Sequence, residues 1–187
     1  VQLYGLRSAR NWGIGDFTDL GVLAAAAGRA GAGFVGLNPL HARHLARPDE
    51  ASPYAPSSRL FIDPMYIDVE SVPGYADAPE VSRMTSSAEF RARLDAARSA
   101  ALVDYRAVSA LKLPVLQALF RHFLDHPAGA DLQRLDAFAA AGGEALARFA
   151  EFEALRFTVH DDCGHLPGWR DWPEHWRDPA HPALTDF

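Results

Sequence analysis

The chain opens on an apolar stretch, Val1 to Leu6 (VQLYGL), of the length and character of a short buried strand. Ser8 to Gly15 (SARNWGIG) breaks that pattern with turn formers and two glycines around Ile14, and predicts a loop. Asp16 then occupies an N-cap position, and Asp19 adds negative charge in the first helical turn. Phe17, Leu20, Leu23, Ala24 and Ala27 recur at helical spacing on one face, and Gly31 and Gly33 stop that helix. Phe34 to Pro39 (FVGLNP) is apolar without alternation, as in a strand covered on both faces. The first forty residues therefore spell strand, loop, helix, strand. A right-handed crossover between the two strands makes them parallel.

His41 to Met65 is long, polar and proline-rich, and predicts a loop at the C-terminal end of the second strand. Loops of this length are uncommon unless they serve function, and that end of a parallel sheet is where ligands bind. Tyr66 to Val69 (YIDV) predicts a third short strand before the turn Pro73-Gly74. Beyond Val81 the pattern turns alanine-rich and helical. Ala88 to Leu102 forms one helix, and Asp104 caps another that Pro114 kinks or restarts. Leu116, Leu119, Phe120 and Phe123 give it an apolar face. Leu132, Leu135 and Phe138 begin a further helix that Gly142-Gly143 interrupts, with Leu146, Phe149, Phe152 and Leu155 continuing the stripe. From Thr158 the chain is expected to be irregular, with Trp169, Trp172 and Trp176 as packing anchors. The chain starts at Val1 and ends at Phe187 without a helix stop, so both ends read as cut from something longer.

Composition narrows the function classes. With 49% hydrophobic and 22% charged residues the chain suits a globular fold. A complete (β/α)8 barrel needs roughly 250 residues, more than the 187 present. A net charge of -6 without a basic face argues against nucleic acid. No apolar run approaches a membrane span, and no signal-peptide pattern opens the chain. Cys163 is the single cysteine, which excludes an intrachain disulfide framework and fits a reducing compartment.

Candidate chemistry is sparse. His122 and His126 sit one helical turn apart but lack the adjoining Glu of a metalloprotease helix, so a polar helix end is expected. His160, Cys163 and His165 have ligand chemistry without a zinc spacing. Gly13 and Gly15 follow a strand and precede a helix, yet match no phosphate-loop pattern, so a tight turn is expected. Glycoside cleavage requires two poised carboxylates. The strand-end acids Asp63 and Asp68 read instead as turn and strand-end hydrogen-bonding groups. Tyr54, in Ser52-Pro53-Tyr54, is a rigid aromatic on the long loop, and its ring can stack on the apolar face of a sugar.

Three blocks carry a resemblance. LRSARNWGIGDFTDL at Leu6 to Leu20, GFVGLNPLH at Gly33 to His41 and ASPYAPSSRLFIDPMYIDVE at Ala51 to Glu70 together resemble the 4-α-glucanotransferases of glycoside hydrolase family 77. Val103 to Phe123 and Trp169 to Pro179 are similar to the same family. The resemblance implies an α/β fold: the first strands of a (β/α)8 TIM barrel in residues 1–80, and a mostly helical insertion with a Trp-rich tail in 81–187. It implies a cytoplasmic retaining transglycosylase that moves α-1,4-glucan segments between maltodextrins without metal or organic cofactor. The motifs carrying the family's catalytic carboxylates have no counterpart here, so catalytic residues are expected to be absent and the isolated chain inactive. Ser52 and Tyr54 are implied to line glucan subsites, with Asn38 and His41 as further candidates. An alternative is a non-catalytic module that binds α-glucan or a protein partner. Open sheet edges predict self-association.

Overall fold

The computed structural model describes residues 1–127, 129–163, 168–181 and 184. The chain divides into two compact units, one of residues 1–43 with 48–127, the other of 44–47 with 128–187.

In the first unit, helix α1 (Phe17–Arg29) begins as the sequence predicts. The Asp16 carboxylate accepts from the Asp19 amide at 3.0 Å, and the Asp19 carboxylate accepts from the Asp16 amide at 3.2 Å. This reciprocal cap satisfies two donors that a helix start otherwise leaves unpaired. Gly31, at φ +88°, turns the chain out of the helix. The apolar face of α1 is only partly covered: Leu20, Leu23 and Ala27 are half-buried, while Ala24 and Phe17 are exposed.

The three expected strands are not formed. Residues 3–5 make a single 3-10 turn, and 34–39 have no regular structure. The predicted parallel pairing survives as one rung, with the Val1 amine donating to the Gly36 carbonyl at 2.7 Å and the Asn38 amide to the Val1 carbonyl at 3.0 Å. A strand needs a ladder along its length. Here the amides of Gly5 and Leu6 close locally on Gln2 and Leu3 instead. The expected third strand is a pair of 3-10 turns, Pro64–Tyr66 and Val69–Ser71. Pro64 lacks an N–H for a ladder, and the Asp63 side chain caps the first turn.

The regular strands lie in the segment expected to be loop. β1 (His41–Ala42) pairs antiparallel with β2 (Ser58–Ile62), His41 opposite Ile62 and Ala42 opposite Ser58, with a bulge between. The run Ser58 to Ile62, fenced by Pro56 and Asp63-Pro64, was the available signal.

The core of this unit is helical. α2 (Pro79–Ser86) and α3 (Ala88–Ser99) are separate elements because Ser87 leaves helical geometry and caps α3, accepting from the Phe90 amide at 3.2 Å. α3 ends at Ser99, earlier than predicted, because Ala100 turns to extended geometry, and Leu102 is exposed. α4 (Tyr105–Asp125) is capped by Asp104 as expected and runs unbroken through Pro114. Proline removes one backbone hydrogen bond, but Val108, Leu111, Val115, Ala118 and Leu119 are buried on both sides of it and hold the helix to the core. Phe120, expected on that apolar face, is exposed. Trp12 enters the same core edge-on to Phe90, at a ring separation of 5.2 Å, and donates to Glu70 at 2.8 Å. Gly13, at φ +83°, lies against the Ala97 backbone, which bears out the tight-turn reading.

In the second unit, α5 (Asp131–Cys163) changes direction at Gly143, where φ is +54° and ψ is -151°, as the glycine pair predicts. It extends past Thr158, where irregular chain was expected. Leu155, Val159, Trp172 and Leu184 form its core, and Phe152 stacks on Trp172 at 5.4 Å. α6 (Glu174–Arg177) follows a 3-10 turn at Trp169–Asp171. Trp172 and Trp176 pack as anchors, whereas Trp169 is about half exposed. Among the described residues no helix is long and apolar enough to cross a membrane.

Candidate functional site

The site is built on the antiparallel hairpin. At its base, the Arg43 side chain donates Nε–H to the fully buried Asp63 carboxylate. The other Asp63 oxygen accepts from the Met65 amide at 2.8 Å, and the Asp63 amide donates to the Leu40 carbonyl at 3.0 Å. The Arg43 guanidinium lies over the Tyr105 ring, 4.6 Å from its centroid, and faces Tyr66 at 5.9 Å. Such stacking suits a planar, weakly hydrated cation. Burial pushes the Tyr66 phenol up to about 12, and burial raises Tyr105 as well. A buried charge is tolerated only when paired and hydrogen-bonded, and this pair meets both conditions.

Between the strands the chain presents Ser52-Pro53-Tyr54. Pro53 is buried, while Ser52 and Tyr54 face outward, Tyr54 with 67% of its surface accessible. The Tyr54 amide donates to the Ser52 hydroxyl at 3.4 Å, and the Ala55 amide to the Ser52 carbonyl at 3.2 Å. The turn is thus pinned by its proline and closed by its serine, and the ring is offered to solvent. Asn38 and His41 belong to the backbone frame: Asn38 through its rung with Val1, His41 within β1, both half-buried.

Beside the hairpin sits a second polar cluster. Arg10 meets Asp16 at 2.5 Å, Asp68 at 2.6 Å and Asp19 at 3.1 Å. Asp68 also accepts from the hydroxyls of Thr18 and Ser71, at 2.7 and 2.5 Å. Burial alone works against its charge, but the bonds from Ser71 and Thr18, with Arg10, hold its carboxyl below the usual range. Asp63 and Asp68 are therefore structural acids engaged with partners, in line with the turn and hydrogen-bonding roles predicted for them. Sequence reasoning missed Arg43 and Arg10, whose partners lie up to 58 residues away in the chain.

Lys112, the only lysine, is fully buried on α4 and donates to the carbonyls of Met65 at 2.6 Å and Ile67 at 2.8 Å. Burial pushes it down to about 8, against the opposing pull of Asp16, Asp68 and Asp63. The consequence for stability has a definite sign. Between about pH 8 and about pH 10 the unfolded chain holds a proton on this amine that the folded chain has released, so stability rises with pH. Above about pH 10 Tyr66 and Tyr105 reverse the trend, because burial keeps their phenols protonated to higher pH in the folded chain. Urea titrations at stepped pH should show this maximum, and Lys112→Met should flatten the rising limb. A rise that persists in the variant would refute the assignment.

His122, in the last turn of α4, and His126, its C-cap, lie with ring centroids 4.7 Å apart. Among the described residues no group of three or more His, Cys, Asp or Glu is placed to hold a metal ion. The side chains of His160, Cys163 and His165 lie outside the described residues.

The first unit is a helical core carrying a proline-anchored aromatic hairpin, and comparison with known proteins is specific. The sequence profile of the 4-alpha-glucanotransferases, glycoside hydrolase family 77, matches residues 1–187, and the chain belongs to that family. It is 36% identical over 183 residues to the 4-alpha-glucanotransferase of Haemophilus influenzae, covering 95% of this chain and 26% of that protein. It is 40% identical over 198 aligned residues to the enzyme of Mycobacterium tuberculosis, covering all of this chain and 25% of that one. The crystal structure of amylomaltase from Corynebacterium glutamicum superposes with a TM-score of 0.72 at 31% identity, over 99% of this chain and 24% of that chain. The chain thus spans about a quarter of the length of the relatives it matches.

Proposed function

We propose that this chain is the N-terminal portion of the catalytic region of a 4-α-glucanotransferase, and that it supplies α-glucan contacts rather than the reacting carboxylates. The observation that carries this reading is the exposed Tyr54 ring on a turn anchored by Pro53. Its neighbours support it: Ser52 offers a hydroxyl beside the ring, and His41 and Asn38 border the hairpin base. The reaction is a retaining double displacement that transfers α-1,4-glucan segments between maltodextrins, with the nucleophile and the acid/base carried by later barrel strands. Asp63 and Asp68 do not substitute for them, because both are committed to ion pairs and hydrogen bonds. The substrate is neutral, no cofactor enters, and the compartment is the cytoplasm.

Incubation of the pure chain with maltotriose is expected to release no glucose and form no longer dextrin; measurable disproportionation overturns this reading. Maltoheptaose titration followed by tryptophan fluorescence should give weak saturable binding. Tyr54→Ala should weaken it roughly two- to tenfold, the worth of one aromatic contact. Equal affinity in the variant would remove Tyr54 from the site.

The segments 1–6 and 34–39 leave strand-competent backbone with a single rung between them. We propose that this backbone pairs with a second copy of the chain when the rest of the barrel is missing. Light scattering should show mass rising with concentration; a constant monomer mass counts against it.

A further inference from the structure

The hairpin base is gripped by a side chain that glucan contact does not require. Lys112 buries an ammonium, which is costly unless hydrogen-bonded, and gives two of its donors to the carbonyls of Met65 and Ile67. These carbonyls sit on the turn immediately after Asp63. From that turn the Met65 amide reaches the Asp63 carboxylate, whose other oxygen holds Arg43 at the end of β1. The Asp63 amide reaches Leu40, and the Ser57 amide reaches Ala42, on the opposite strand. A continuous path of hydrogen bonds thus runs from the core helix α4 to both strands of the hairpin.

We propose that Lys112 is a positioning residue, fixing through Met65, Ile67, Asp63 and Arg43 the placement of the hairpin that presents Ser52 and Tyr54. A compact ammonium with three donors suits two convergent carbonyls, which the planar fork of arginine does not. The consequence for glucan binding rests on the function proposed above; the positioning itself does not. The charged groups that face the amine are Asp16, Asp63, Asp68 and Arg10. Burial holds it near 8, so any opening that hydrates it favours its protonated form, and raising the pH closes the hairpin base.

Hydrogen exchange of the whole chain tests this, comparing residues 57–67 with residues 79–99 of α2 and α3. At neutral pH, Lys112→Met should speed exchange in 57–67 about tenfold or more, with 79–99 changed less than about twofold, since two carbonyls lose their donor. Lys112→Gln, which keeps two donors, should lie between. Maltoheptaose affinity should fall several-fold in Lys112→Met. Uniform acceleration of both segments, or no acceleration, overturns the proposal. Should wild type fail to bind maltoheptaose, the glucan reading falls while exchange still decides the role of Lys112. If neither variant folds, the wild-type chain decides. After correction for intrinsic rates, protection in 57–67 should rise about tenfold from about pH 7.5 to about pH 9.5, clearly more than the rise that global stability gives 79–99. Equal change in both segments is the refuting result.

Discussion

Asp63→Ala is expected to lower the unfolding free energy by about 3–5 kcal/mol, the cost of stripping one partner from a buried ion pair. Three losses coincide at this position. The Arg43 guanidinium remains buried between Tyr66 and Tyr105 without its counter-charge. The Met65 amide loses its acceptor, and the 3-10 turn at Pro64–Tyr66 loses its cap. Folded domains of this size hold only about 5–15 kcal/mol in total, so the variant should sit near the edge of folding. Urea denaturation read by tryptophan fluorescence measures the change. Asp63→Asn keeps an acceptor for Met65 and should lose less. Pairing Arg43→Met with Asp63→Leu should recover much of the loss, because buried pairs are often replaceable as a unit. A wild-type midpoint in Asp63→Ala would show that the pair contributes nothing.

Gly15→Ala should be the second large effect, and it comes from sterics alone. A Cβ built at Gly15 would lie 2.0 Å from the Leu3 carbonyl oxygen and 2.8 Å from the Leu6 Cβ. The oxygen belongs to backbone, so relief requires the first 3-10 turn to move away from fully buried Leu3. Overpacking of this kind costs about 3 kcal/mol or more, which lowers Tm by roughly 6–12 °C in a chain of this length. The matched control is Gly21→Ala in the middle of α1, where nothing lies within 4 Å of the added carbon. That variant should stabilise the helix by up to about 1 kcal/mol. Differential scanning calorimetry of the two variants compares them directly. Equal Tm values would mean that the Gly15 turn is free to shift.

Much of the local structure was legible in the chain because its causes are local. Asp16 and Asp19 cap α1, Asp104 caps α4, and Gly143 breaks α5, each through bonds or backbone freedom within four residues. The Ser52-Pro53-Tyr54 segment read only as part of a long loop, although its closure is equally local: proline fixes its own φ and serine accepts from the amide two residues ahead. The three motif blocks were enough to identify the family. The strands were not legible, because apolarity proposes a strand and only a partner ladder makes one. Val1–Leu6 and Phe34–Pro39 share one rung, while β2 found its partner in β1 across a stretch that read as loop.

What the sequence determined by itself was therefore the family and the helix limits set by caps and glycines, with Tyr54 named as a rigid aromatic on the long loop. What only the tertiary structure decided was the frame that holds the candidate site. Arg43 pairs with Asp63 twenty residues on, Arg10 with Asp68 across 58, and Lys112 with carbonyls 45 and 47 residues back. Charges spaced so far apart carry no periodic signal, and their pairing follows from burial: once the core helices exclude water, each charge must find the partner that the fold brings within reach.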